Sequence, residues 1–218
     1  MNGARPKYQA MYDISVLLGV ESVVFPGTRP FSIKQEEKTI GSETFRSSDL
    51  VMSAHAGTHL DAPAHLTAYK RTIDQFPIES FILPALVVDI KDKEAIRPSE
   101  LKGLEINPGD ALLFRTDNSV TGRSVSRTPS DYYVYMSVEA ADLCIEKRVS
   151  LAGFDYFVAE KPNDKSAPVH HRLFEKDILI LEGANLKDVP PGRYTMFCLP
   201  LKMQGSEGSP VRAILIRY

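Results

Sequence analysis

The feature that most restricts how this chain can fold is a short segment rich in histidine. Residues 53–66 read SAHAGTHLDAPAHL, and within eleven positions they contain His55, His59, Asp61 and His65. Imidazole and carboxylate groups together suit Zn²⁺, Mn²⁺ or Fe²⁺. The segment therefore predicts a metal or catalytic site, and it requires a backbone path that brings these side chains together.

Regular secondary structure does not bring His55 and His59 to one ion. In an extended strand both would face one side, but four steps of about 3.3 Å would separate them by roughly 13 Å. Metal–nitrogen bonds are only about 2 Å long. A continuous helix would be weakened by Gly57 and ended by Pro63. We therefore predict that the backbone folds back near Gly57 and brings both histidines close to Asp61.

The remaining two histidines form a second cluster. His170 and His171 follow Pro168, which suits the first position of a helix. Residues 178–181 (ILIL) predict a buried strand that ends at Glu182. Sites in α/β folds collect at the ends of strands. Neighbouring helical residues point about 100° apart, so we expect only one of the two histidines to face a site.

Short apolar runs and helix signals alternate along the rest of the chain. Ser137 predicts the N-cap of a helix over residues 138–148. No linker divides the sequence, so we predict a single α/β domain over residues 1–218 with a strand-rich mixed sheet. The predicted strands cover residues 11–18, 31–33, 44–54, 85–90, 111–114, 151–154, 178–181, 195–199 and 211–216.

Charge and hydropathy exclude several classes of protein. The 26 basic and 28 acidic side chains nearly balance, which argues against nucleic-acid binding by bulk positive charge. No stretch approaches the roughly 18 apolar residues of a membrane span, and residues 1–18 do not read as a secretory signal. We therefore expect a cytoplasmic protein that binds neither nucleic acid nor a membrane.

The segment from His55 to His65 resembles the signature HxGTHxDxPxH of a cyclase family of metal-dependent enzymes, which includes bacterial kynurenine formamidases and isatin hydrolases. Residues 13–15 (DIS) and 25–27 (FPG) resemble the opening elements of the family, and residues 208–213 (GSPVRA) resemble its closing segment. The resemblance implies a swivelling β/β/α domain that assembles as a homodimer or homotetramer.

The resemblance also implies a ligand set. His55, His59 and Asp61 would hold a first divalent ion, Zn²⁺ or Mn²⁺. Asp61 would bridge to a second ion held by His170 and Glu182. The resemblance thus implies one or two ions per subunit.

The activity implied by the resemblance is hydrolysis of a small-molecule amide by metal-activated water, with His65 as the general acid/base. The leading substrate is N-formylkynurenine, which would yield kynurenine and formate. Phe25 precedes a Pro-Gly turn, which would expose its ring to bind an aromatic substrate.

Two alternatives remain open at this point. Kynurenine formamidases usually carry tryptophan where Phe25 stands, and this chain has no tryptophan. Another cyclic amide, a lactone or an imide is therefore an alternative substrate for the same site. A metal-binding protein without activity is the second alternative, but such a protein would have no need of His65.

Overall fold

The structure, a computed structural model, describes residues 7–22, 25 and 27–218. Its strands, in chain order, are β1 (Ala10–Asp13), β2 (Ser32–Ile40), β3 (Glu43–Val51), β4 (His59–Asp61), β5 (Ile82–Asp89), β6 (Ala95–Ile96), β7 (Ala111–Arg115), β8 (Tyr135–Met136), β9 (Leu151–Phe154), β10 (Leu179–Glu182), β11 (Gly192–Phe197), β12 (Gly208–Pro210) and β13 (Ile214–Arg217). The α-helices are α1 (Pro98–Leu101), α2 (Asp117–Val120), α3 (Val138–Glu146) and α4 (Pro168–Phe174).

One mixed sheet of nine strands forms the framework, in the order β1-β13-β11-β5-β7-β9-β10-β4-β12. The central pairs β5–β7, β7–β9 and β9–β10 are parallel, and the pairs on either side are antiparallel. The predicted α/β fold with a strand-rich mixed sheet is confirmed. Strands β6 and β8 form a small separate pair.

The central strands are continuous apolar runs because both faces of the sheet are covered. Successive side chains of a strand point to opposite faces, so Leu112 and Leu113 enter different cores. Leu112 packs in the core that also contains Cys144 of α3 and Leu173 of α4. Leu113 packs in the second core, together with Leu181 of β10. The sheet therefore separates two layers of buried apolar residues.

The predicted helix after Ser137 is present as α3, and the Ser137 hydroxyl accepts a hydrogen bond from Ala140 N at 3.2 Å. The predicted strand over residues 11–18 is shorter, because β1 ends at Asp13. Beyond it, Val16 N donates to Thr58 Oγ1 at 3.0 Å. The chain therefore leaves the sheet at this point and packs against the histidine-rich segment.

Strands β2 and β3 form a hairpin outside the main sheet. Every position of both strands is exposed, including the apolar residues Ile33, Phe45 and Leu50.

Of the predicted turn at residues 25–27, Pro26 lies outside the described residues. None of the described helices has the length and apolarity that crossing a membrane requires.

Candidate metal centre

Strands β4 and β10 carry three of the predicted site residues and lie side by side. Their antiparallel register pairs Glu182 with His59 and Ile180 with Asp61. Directly paired residues point to the same face of a sheet, so the Glu182 carboxylate lies against the His59 ring. His59 Nε2 is 3.7 Å from Glu182 Oε2.

The predicted reversal near Gly57 is confirmed. Gly57 has φ +65°, and the ring centroids of His55 and His59 are 5.1 Å apart. Thr58 Oγ1 donates to Gly183 O at 2.6 Å, which ties the reversal to the end of β10. His59 Nδ1 lies 2.9 Å from Gly57 O, so the turn also leaves His59 Nε2 free to face the centre.

Asp61 lies between the two histidine clusters. Its Oδ1 atom is 2.6 Å from His55 Nδ1 and 3.4 Å from His59 Nε2. Its Oδ2 atom is 3.8 Å from His170 Nε2, and Glu182 Oε1 is 3.7 Å from the same nitrogen. The structure thus brings together all five residues that the family resemblance implies as ligands.

The grouping of these atoms differs in detail from the implied one. Donor atoms of His59, Asp61 and Glu182 lie within 4.8 Å of one another, and so do those of His55, Asp61 and His65. The two oxygens of Glu182 are directed to different histidines, His59 and His170. Glu182 therefore lies between the two halves of the centre rather than beside His170 alone.

The chemistry of the centre fits a divalent metal. Asp61 Oδ2 is buried and has no hydrogen-bond partner among the residues that the structure describes. A buried polar atom without a partner costs about 1–3 kcal/mol, and a cation beside it would remove that cost. Three imidazoles and two carboxylates form a donor set that suits Zn²⁺ or Mn²⁺.

Burial and crowding shift the pKa values in the centre. Burial lowers the pKa of His59. Burial also acts to lower the pKa of His55, but its hydrogen bond to Asp61 and the Asp61 charge outweigh this and raise it to about 9. Burial, with the negative charge of Asp61, raises the pKa of Glu182 to about 8. Two buried carboxylates side by side favour a bound cation.

His65 lies next to the ligand cluster and is more exposed than the other histidines of the centre. Its ring centroid is 4.2 Å from that of His55 and 5.9 Å from that of His170. Partial burial lowers the pKa of His65, and the nearby Asp61 charge only partly opposes this. The lowered pKa favours the neutral imidazole of His65, which can accept a proton.

Only one histidine of the second cluster faces the centre, as predicted. His170 is buried on α4, whereas His171 is exposed and contacts the Tyr69 hydroxyl. The residues of the centre open into a cavity of about 740 Å³, a size typical of small-molecule sites. Phe25 lines this cavity, and its ring meets Phe157 edge to face at 5.9 Å.

Two acidic residues that the sequence analysis did not identify contact the outer sides of the histidines. Glu160 Oε1 lies 2.8 Å from His170 Nδ1, and Glu207 Oε1 lies 3.3 Å from His55 Nε2. The sequence separation between each glutamate and its histidine does not match a metal-ligand motif, so nothing in the sequence indicated that they pair. The only sequence signal for Glu207 is its position directly before the GSPVRA segment.

The chain is similar to known proteins over most of its length. The model of the Cyclase family, described as putative cyclase, matches residues 12–161. A kynurenine formamidase of Salinibacter ruber is 32% identical over 208 residues, which cover 94% of this chain and 97% of that protein. A kynurenine formamidase of Bacillus cereus is 30% identical over 203 residues, and the match covers 93% of this chain and 95% of that one.

The fold of the chain is also similar to the folds of solved structures. A potential metal-dependent hydrolase with cyclase activity superposes with a TM-score of 0.79 at 28% identity, covering 96% of this chain and 98% of the other. Isatin hydrolase A from Ralstonia solanacearum superposes with a TM-score of 0.82 at 23% identity, covering 96% and 92%. The second likeness concerns the fold alone.

Proposed function

The chain belongs to the cyclase family, and we propose that it is a metal-dependent hydrolase of an amide bond, of the arylformamidase type. The observation that carries this proposal is the convergence of three histidines and two carboxylates around Asp61 Oδ2, which has no hydrogen-bond partner among the described residues, in the lining of a cavity of about 740 Å³. The leading substrate is N-formylkynurenine, and the relatives named kynurenine formamidase support it.

The proposed ligands are those implied by the family resemblance. His55, His59 and Asp61 would hold one ion, and Asp61, His170 and Glu182 would hold a second, with Zn²⁺ or Mn²⁺ as the metal. The placement of Glu182 between His59 and His170 supports a centre with shared carboxylates. A bound divalent ion would supply Lewis acidity, which activates water and polarises a carbonyl group.

His65 is proposed to move the proton in this reaction. Its neutral imidazole would take a proton from the water that attacks the formyl carbon. It would then give that proton to the anilide nitrogen as the carbon–nitrogen bond breaks, so that a neutral arylamine leaves together with formic acid, which releases its remaining proton to solvent and becomes formate. Phe25 and Phe157, which line the cavity, are proposed to contact the aromatic ring of the substrate.

A substrate panel tests the proposed function. The full chain, loaded with Zn²⁺ or Mn²⁺, would be assayed with N-formylkynurenine, a second formanilide, a cyclic amide and a lactone, and its metal content would be measured. We expect the highest kcat/KM with a formanilide. If the enzyme preferred the cyclic amide or the lactone, the proposed substrate would be wrong, but the proposed metal centre would stand. If the protein bound stoichiometric metal but turned over none of these compounds, it would be a metal-binding protein without hydrolytic activity.

We also make proposals about the domain organisation, the oligomeric state and the cellular location of the chain. We propose that the chain is one domain, since β1 and β13, near its two ends, pair in the main sheet. We also propose a cytoplasmic homodimer or homotetramer. The exposed hairpin of β2 and β3 supports assembly, because an isolated two-stranded hairpin is only marginally stable in water.

A further inference from the structure

Helix α4 begins without a capping side chain of its own. Its N-cap residue is Ala167, whose methyl group accepts no hydrogen bond, and Pro168 at the first position has no N–H. The next two N–H groups, those of Val169 and His170, are buried and precede the regular helical bonds. Glu160, which lies in the loop before the helix, takes both: its Oε2 accepts from Val169 N at 3.2 Å, and its Oε1 accepts from His170 N at 2.9 Å.

The same carboxylate also holds the imidazole of His170. Glu160 Oε1 lies 2.8 Å from His170 Nδ1. The carboxylate already accepts from two backbone N–H groups, so the contact with the ring is a hydrogen bond that Nδ1–H donates. The other ring nitrogen, Nε2, then faces Asp61 Oδ2 and Glu182 Oε1 at 3.8 and 3.7 Å.

We propose that Glu160 is a positioning residue of the metal centre, which fixes both the tautomer and the direction of His170 so that Nε2 faces the ion. This inference rests on the metal site of the proposed function. Glu160 and His170 are both buried, at 5% and 6% exposure. A hydrogen bond between them is therefore not exchanged readily for water, and its loss would leave the ring free to turn.

Backbone strain beside this contact supports the assignment. Ala167 has φ +48° and ψ +49°, in the left-handed region. That region is unfavourable for alanine, and the residue before a proline is disfavoured there as well. Strain of this kind persists where surrounding contacts hold it in place. The three hydrogen bonds accepted by Glu160 begin two residues further on and hold the start of α4 in this position.

The test measures metal affinity rather than turnover. Zn²⁺ would be titrated into the full-length chain in competition with a chromophoric chelator, for the wild type and for Glu160→Ala and Glu160→Gln. We expect Glu160→Ala to weaken one Zn²⁺ site by about 10- to 100-fold, the usual effect of removing such a partner. Glu160→Gln keeps an oxygen acceptor for Nδ1–H and should recover part of the loss.

Asp164→Asn is the matched control. Asp164 lies in the same loop and lines the same cavity as Glu160, and its substitution removes the same charge as Glu160→Gln. Its carboxylate, however, accepts hydrogen bonds from Ser166 rather than from a histidine. We expect its Zn²⁺ affinity to stay within about twofold of the wild type, because it holds no ligand in place.

A nitrogen NMR measurement separates positioning from simple helix capping. In the Zn²⁺-loaded wild type, ¹⁵N spectra should show His170 protonated at Nδ1 and bound to metal through Nε2. The Glu160→Ala spectrum should lose the protected Nδ1–H signal. If that signal and the affinity both match the wild type in folded Glu160→Ala, or if the Zn²⁺-loaded wild type shows His170 bound to metal through Nδ1, the inference is wrong. A wild type that binds no Zn²⁺ would instead overturn the proposed metal site, and this inference with it.

Discussion

At Asp61, one carboxylate oxygen contacts His55 and His59, and the other is buried without a partner in the described part of the chain. Burial acts to raise the pKa of Asp61, but the neighbouring histidines hold it well below its usual value. Asp61 therefore stays ionised in a buried position. In the metal-free protein the protonated rings of His55 and His170 balance this charge, and a divalent cation that displaced their protons would take over that role.

Replacement of His65 by alanine tests the proposed proton transfer. We expect kcat on N-formylkynurenine to fall by about 10²- to 10⁴-fold, the usual contribution of a general acid/base. Metal content should stay at the wild-type level, because His65 is not among the proposed ligands. The measurements are steady-state kinetics and metal analysis of the same sample. A loss of less than about tenfold, with metal retained, would contradict the role.

Metal affinity should rise with pH, because the histidines of the metal-free protein carry protons that the metal must displace. Burial acts to lower the pKa of His170, but its contacts with Asp61 and Glu160 raise it to about 10, and the pKa of His55 is about 9. Both rings therefore carry protons near neutral pH, and a metal must displace them. Zn²⁺ affinity should rise between about pH 6 and pH 8, by up to about tenfold per pH unit for each proton displaced.

Chelator competition at several pH values measures this dependence. Calorimetry in buffers of different ionisation enthalpy counts the protons released. An affinity that stays constant over this pH range, with no proton release, would contradict the ionisation states described for His55 and His170.

At the scale of elements, the centre depends on a close approach between two glycines. Gly183 follows β10 directly and has φ +69°, and a Cβ atom there would lie 2.5 Å from Gly57 O. This approach lets the reversal at Gly57 pack against the end of β10. The positions of His59 and Glu182 therefore depend on the absence of a side chain at Gly183.

Substitution of Gly183 by alanine should destabilise the protein and weaken metal binding. The left-handed backbone alone costs an alanine about 1 kcal/mol or more. The contact with backbone adds to this, so we expect a loss of about 3–4 kcal/mol in the free energy of unfolding. Urea denaturation of the metal-free protein measures the loss.

Gly109→Ala is the control for that experiment. Gly109 has φ +90°, but no heavy atom of the described residues lies within 4 Å of an added Cβ. It should lose only the backbone cost of about 1–2 kcal/mol and keep its metal affinity. Equal losses in the two variants would show that the glycine contact does not hold the centre.

The sequence predicts elements well where the signal is local. Strands β7, β9 and β10 are buried on both faces, so they appear as continuous apolar runs, and the Gly57 reversal follows from ligand spacing. Contacts between distant residues have no such signal. The register that pairs Glu182 with His59, and the capture of His170 by Glu160, arise only when the chain is folded.

At the scale of the whole molecule, the sheet order places the centre. Strand β4 lies between β10 and β12, far from its neighbours in sequence. The two histidine clusters therefore meet at one end of the sheet, although they are more than a hundred residues apart. The sequence predicted an α/β domain, but the strand order could not be derived from local patterns.

The exposed hairpin allows a test of assembly. Ile33 and Leu50 are directly paired across β2 and β3 and expose apolar surface on one face. Replacing both with serine should shift the protein from dimer or tetramer towards monomer in sedimentation velocity, because apolar burial drives association. The control replaces the exposed pair Thr39 and Thr44 with serine. If both double variants sediment like the wild type, the Ile33–Leu50 pair is not part of the interface.

A metal titration of activity tests whether this chain cleaves an amide through its metal centre. Zn²⁺ or Mn²⁺ would be added stepwise to metal-free protein, and the initial rate of N-formylkynurenine hydrolysis would be measured at each step. We predict no turnover without metal, a rise with each addition, and a plateau at one or two equivalents per chain. Full activity in the metal-free protein, or no activity at any metal content, would contradict amide cleavage at the metal centre.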